Sequence, residues 1–115
     1  MKDSLNIDIS NNCPVELTLR LISNKWKILI LRDLISGPQR FSELRRSIGS
    51  ISQKVLTSNL RDMEKNNIIT RTIFPEVPPR VEYELTELGY SLKTVLISMQ
   101  NWGNDYKKIF KNQNS

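Results

Sequence analysis

At 115 residues the chain is the size of one domain, with room for one core. Hydrophobic residues at 38% and charged residues at 25% are a globular balance, and seventeen Lys and Arg against twelve Asp and Glu leave +5, which suits a polyanionic partner or a basic but inert surface. With no histidine and one cysteine, Cys13, the chain lacks the commonest general base, the ligands of a structural zinc site and any internal disulfide, so an enzyme, a metal site and a cofactor are not expected.

Residues 1–12 are mildly polar, with no basic-then-apolar leader pattern; Leu5, Ile7 and Ile9 alternate over too short a span to assign. No run of about 18 apolar residues follows, so no membrane span is expected, and the lone cysteine fits a reducing cytoplasm. Pro14 suits the first turn of a helix, where its missing N–H costs nothing, and residues 15–22 continue it. Residues 25–35 are apolar on more than one face. Trp26, Leu29, Ile30 and Leu34 form one stripe, and Ile28, Leu31 and Ile35 form another. A helix wet on so little of its surface is central, and Gly37-Pro38 ends it.

Two short helices follow. Residues 41–48 bury Phe41, Leu44 and Ile48, then stop at Gly49. Ser50, with Gln53 three residues on, resembles a capping box for the next helix, and Ser52 competes for that role. This helix buries Leu56, Leu60 and Met63 and closes at Asn66-Asn67, either of which tolerates left-handed backbone. The period then changes to that of strands. Ile69–Phe74 is rich in β-branched residues, and Val81-Glu82-Tyr83-Glu84-Leu85 alternates apolar with charged. Pro75, Pro78 and Pro79 remove ladder donors between them, so the pair is a two-stranded hairpin with a stiff tip carrying Arg80. Thr86 caps a last helix over residues 87–110, which Gly103 interrupts at a cost of about 1 kcal/mol.

Helix, helix, two short helices, hairpin and long helix make a mainly α (α+β) winged helix-turn-helix, one domain over residues 1–115. Dimerisation elements are expected at the N-terminus and over about residues 87–111. The second helix of such a pair enters the major groove of double-stranded DNA, about 12 Å wide. Gln53 matches adenine bidentately, Lys54 and Arg61 match guanine or phosphate, and Thr57 and Ser58 are short enough to let the backbone approach. Ser52 at the helix start and Arg40, Ser42 and Arg45 before it complete that face. Residues 36–66 carry six basic residues against three acidic ones. In the wing, Pro79 and Arg80 are placed for the neighbouring minor groove, whose negative potential draws arginine. The competing reading is a solvated polar face on ordinary helices.

The chain resembles the HxlR-type family of winged-helix transcriptional regulators over roughly residues 13–103. The residues that carry the resemblance are Cys13-Pro14, Asn24-Lys25-Trp26-Lys27-Ile28-Leu29-Ile30-Leu31, Arg40-Phe41-Ser42-Glu43-Leu44, Ile51-Ser52-Gln53-Lys54-Val55-Leu56-Thr57, Leu60-Arg61-Asp62-Met63-Glu64 and the run from Pro78-Pro79-Arg80 through Gly89. The resemblance implies a dimeric repressor or activator, responsive to an oxidant, an electrophile or a small metabolite. Asn66-Asn67 replaces the glycine often found at that turn.

Leu88, Leu92, Val95, Met99, Trp102, Tyr106 and Ile109 are spaced 4, 3, 4, 3, 4, 3, a heptad seam. A helix at the end of so short a chain has little body left to cover it, so this seam is expected to form a homodimer reading a palindrome with half-sites about 34 Å apart. Packing on its own core is the alternative. Cys13 precedes Pro14 at an N-cap, where unpaired N–H groups and the helix dipole favour a thiolate. The resemblance likewise implies redox sensing there, against the alternative of a small buried hydrophobe. With one cysteine per chain, an oxidised state is an intersubunit bridge, a mixed disulfide or an adduct. Trp26, Phe74, Tyr83 and Trp102 are candidates to line an effector pocket beneath the last helix, or plain core. A winged-helix module that binds a protein instead of DNA is the competing function.

Overall fold

In the computed structural model of the chain, which describes residues 13–113, Pro14 opens the first helix where no N–H partner is lost. α1 (Pro14–Leu21) is followed by α2 (Lys25–Leu34), β1 (Gln39–Arg40), α3 (Phe41–Ile48), α4 (Gln53–Lys65), β2 (Ile69–Phe74), β3 (Arg80–Leu85) and α5 (Glu87–Gln113). This is a winged-helix fold, mainly helical, with a small antiparallel sheet in the order β1-β3-β2. The sheet has three strands where the sequence suggests a two-stranded hairpin, because Gln39 pairs with Tyr83 and Arg40 with Glu82. A strand of two residues has no alternation to announce it. Leu5, Ile7 and Ile9 lie outside the described residues.

α2 is the centre. Its Ile30, Leu31 and Leu34 are fully buried and belong to one core with Leu44 of α3, Leu56, Leu60 and Met63 of α4, and Ile69 and Leu85 of the sheet. Burial of each such side chain is worth about 1.5–3 kcal/mol, so this layer fixes how α3 and α4 are presented. Phe41 and Ile48 are only partly buried at its edge. The second expected stripe of α2 is less covered: Ile28 and Ile35 are half-buried.

Two polar links join α2 to α4. Lys27 is 7% exposed, and its ammonium pairs with the Asp62 carboxylate. Asn24 caps α2, its Oδ1 accepting from the Lys27 N–H at 2.9 Å, while its Nδ2 donates to Asn59 Oδ1 at 3.1 Å. Asn59 in turn donates to the Val55 carbonyl at 2.8 Å. Every buried polar group in this link therefore has a partner, as burial requires.

The start of α4 is capped by Ser52 and not by Ser50, since the Val55 N–H donates to Ser52 Oγ at 3.1 Å. Asn67 takes the left-handed conformation, φ 63°, that turns α4 into β2. Thr86 Oγ1 accepts from the Gly89 N–H at 2.9 Å and donates to the Asn67 carbonyl at 2.8 Å. Gly89 is required there, because a Cβ would overlap the Ile68 carbonyl oxygen. α5 then runs unbroken through Gly103 for 27 residues, about 40 Å. The glycine does not interrupt it, because one residue's cost of about 1 kcal/mol is small against the cooperativity of so long a helix.

Candidate nucleic-acid interface

α4 presents Gln53, Lys54, Thr57, Ser58 and Arg61 around one open hollow of about 620 Å³. Gln53 is shared with a second hollow of about 450 Å³ that also takes in Ser42, Arg45 and Arg46 of α3 and its end. Ser42 is shared in turn with a third, about 420 Å³, between α3 and the hairpin tip, where Arg40, Pro79 and Arg80 stand. Ten of the eleven residues named from the sequence thus lie on one continuous concave side. The eleventh, Ser52, is exposed next to Gln53 and carries the cap of α4. Arg46 is an addition that periodicity alone did not single out.

The charge on this side is largely uncompensated. Among the described residues, the ion pairs are Lys27–Asp62, Arg32–Asp33, Arg71–Glu64 and those of Arg80, so Arg40, Arg45, Arg46, Lys54 and Arg61 have no carboxylate within 4.0 Å. Glu43 is engaged at the start of α3, its carboxylate accepting from the Arg40 N–H at 2.7 Å.

Arg80 differs. It is the first residue of β3 and not the tip, which is formed by residues 75–79 with Val77 fully exposed. Its guanidinium lies 4.1 Å from the centre of the Phe74 ring, pairs with Glu76 at 3.1 Å and Glu82 at 3.4 Å, and leaves a buried Nε without a partner. This packing braces the hairpin, and the three prolines stiffen it further.

A smaller gap of about 200 Å³ separates α4 from the sheet. Thr57, Arg61 and Glu64 face Arg71 of β2 and Tyr83 of β3 across it, and Arg71 and Tyr83 are register partners. Burial pushes the Tyr83 phenol above its ordinary range; Arg71 opposes the shift, Glu64 adds to it, and Arg61 opposes it.

α5 divides its seam. Leu92 and Val95 pack against the core, while Leu88, Met99, Trp102, Tyr106 and Ile109 are exposed, Trp102 to 69%. Trp102 stacks on Tyr106 at 5.5 Å, and Tyr106 on Phe110 at 5.9 Å. α1 adds exposed Val15, Leu17 and Leu19, an apolar set that the sequence reading missed. Cys13 is the N-cap of α1 as expected, but it is 3% exposed. The groove beneath α5, about 500 Å³, is lined by Ile28, Leu29 and Ile35 of α2 and its end against Leu96, Ile97 and Met99. The expected aromatic lining is absent from it: Trp26 and Tyr83 pack on the core, Phe74 lies under Arg80, and Trp102 is in the outer stack. Among the described residues no helix is long and apolar enough to cross a membrane.

A family model described as HxlR-like helix-turn-helix matches residues 21–110. The uncharacterized HTH-type transcriptional regulator YdeP of Bacillus subtilis (strain 168) is 45% identical over 107 residues, covering 90% of this chain and 84% of that protein. Among solved structures, the redox regulator HypR in its oxidized form matches with a TM-score of 0.75 and 44% identity, over 81% of this chain and 96% of that one. The reduced form of the transcriptional regulator YodB from B. subtilis matches with a TM-score of 0.75 and 40% identity, over 82% and 93%.

Proposed function

The chain belongs to the HxlR-like helix-turn-helix family and is a transcriptional regulator, not an enzyme; from that premise we propose that it is one winged-helix domain acting in the cytoplasm as a homodimer on a palindromic duplex operator. The observation that carries this reading is the continuous concave side of α3, α4 and the hairpin, with its unpaired cations. α4 enters the major groove. Gln53 and Lys54 meet base edges there, Thr57 and Ser58 let the backbone approach, and Arg61 and the α3 residues Ser42, Arg45 and Arg46 meet phosphates, as does Arg40 before them. Ser52 holds the N-terminus of α4 towards the DNA. The wing follows the next minor groove, with Pro79 and Arg80 nearest it, and Arg80 exchanges its carboxylate partners for the groove.

The exposed stripe of α5, Leu88, Met99, Trp102, Tyr106 and Ile109, joins the protomers, and Val15, Leu17 and Leu19 of α1 extend it. Leu92 and Val95 serve both the core and the edge of that contact. Cys13 makes the dimer responsive to oxidants. Similarity to HypR and YodB supports this, and Cys13 stands at the head of α1, whose exposed apolar residues are proposed to join the seam.

Selection of random duplex DNA by the purified protein, followed by binding to the enriched site across a salt series, tests the reading. An enriched palindrome with affinity falling steeply as salt rises is expected from counterion release. No enrichment and a flat salt response would sink it and point to a winged-helix module for a protein partner.

A further inference from the structure

Resting on that DNA reading, we infer that the gap between α4 and the sheet is a seat for one DNA phosphate, in which Arg71 and the Tyr83 hydroxyl join Arg61 and Thr57 as the binding groups. When a helix lies in a major groove and its wing follows the adjacent minor groove, the sugar-phosphate strand between those grooves must cross the space between helix and wing. In this fold that space is the gap described above, and it opens onto the recognition face through two residues common to both hollows, Thr57 and Arg61.

The chemistry of the gap suits a phosphodiester. Two guanidiniums flank it from opposite sides, one on α4 and one on β2, and the hydroxyls of Thr57 and Tyr83 add neutral donors. The shifted phenol stays protonated through the neutral and mildly alkaline range, so it donates wherever DNA is bound. Glu64 is the one acid on the lining. It stands 3.6 Å from Arg71 Nε, beyond good hydrogen-bond distance, and both side chains are about 40% exposed (42% and 39%). Such a pair is weak, and it occupies one edge of a guanidinium that has five N–H donors. Glu64 therefore leaves Arg71 available to a phosphate.

The test uses the full chain on the operator recovered by selection, with binding followed by fluorescence anisotropy from low to moderate salt. Arg71→Ala is expected to lower affinity on the order of tenfold, on operator and on unrelated duplex alike, and to reduce the slope of log affinity against log salt by about one. Arg71→Lys keeps the charge and should keep the slope. Glu64→Gln separates contact from scaffolding. It removes the ion pair but leaves the cation, so wild-type or tighter binding is expected. A neutral methylphosphonate, placed in turn at each phosphate between the major-groove and minor-groove contacts, should weaken the wild type most at one position and weaken Arg71→Ala less there, through the Arg61 contact that remains. A wild-type slope in Arg71→Ala, or damage from Glu64→Gln equal to that of Arg71→Ala, overturns this assignment while leaving the DNA reading intact. A wild-type protein that binds no duplex overturns both.

Discussion

Lys27 is buried on the central helix α2, and among the described residues Asp62 is its one carboxylate partner. The two ends of this pair are unequal, since the lysine side chain is 8% exposed and the aspartate 45%. Loss of the acid leaves a mostly buried cation without its partner; loss of the lysine leaves a carboxylate that water still covers. Asp62→Ala is therefore expected to destabilise the fold by about 3 kcal/mol, at the low end for a buried pair, and Lys27→Met by less than about 1 kcal/mol. Equal losses in urea unfolding would show that the pair is not buried in solution. Tyr83 supplies a second residue-level test. Its phenol is held above the ordinary value, so between that value and the raised one the folded chain keeps a proton the unfolded chain has released. The Tyr83 contribution to stability should be level below about pH 10 and fall above it, and Tyr83→Phe should remove that fall. A decline that persists in the variant would assign it elsewhere.

The elements follow local chemistry wherever a cap or a period is present. Ser52→Ala is expected to cost about 1 kcal/mol through loss of the α4 cap, whereas Ser50→Ala should change stability by only a few tenths; thermal unfolding of both compares them directly. The sequence alone leaves Ser50 and Ser52 as rivals because both precede the apolar run, and only the loop geometry decides which hydroxyl meets the Val55 N–H. The helices are legible because each repeats a spacing that burial demands, which also leaves the polar face of α4 visible, and the two longer strands show in the β-branched residues of β2 and the alternation of β3. β1 is not, since two residues contain no repeat. The position of Arg80 is also hidden, because nothing in the sequence marks where the tip ends and β3 begins, and the guanidinium is drawn back by Phe74, Glu76 and Glu82 across the hairpin. The same holds for α5. Heptad spacing identifies its apolar face, but which half of that face the body covers depends on where α2 ends beneath it, a non-local fact. Arg71 reads as an ordinary strand residue until its register with Tyr83 and its nearness to Glu64 are known.

For the molecule as a whole, the decisive quantity is association. The protein is expected to sediment at twice 13.4 kDa, and Trp102→Glu should raise the dimer dissociation constant by about 100-fold or more, because an unpaired carboxylate in an apolar contact costs roughly 3 kcal/mol. Unchanged association would mean that the outer stack of Trp102, Tyr106 and Phe110 is not the seam. Weakened association should carry DNA affinity down with it, since a single head forfeits half of the palindrome.

The two polar links between α2 and α4 have a consequence for how an operator is measured. Asn24–Asn59 and Lys27–Asp62 pin α4 to the central helix, and Thr86 with Gly89 pins the root of α5 to the turn that leaves α4. Among the described residues, α2, α4 and the root of α5 are thus tied to one another. In the proposed dimer the protein then behaves as a caliper with rigid jaws and one adjustable screw, the crossing of the two α5 helices. Any signal that reaches that crossing resets the distance between the heads without altering either head. Such a signal would change which half-site spacing is accepted while leaving the half-site sequence the same.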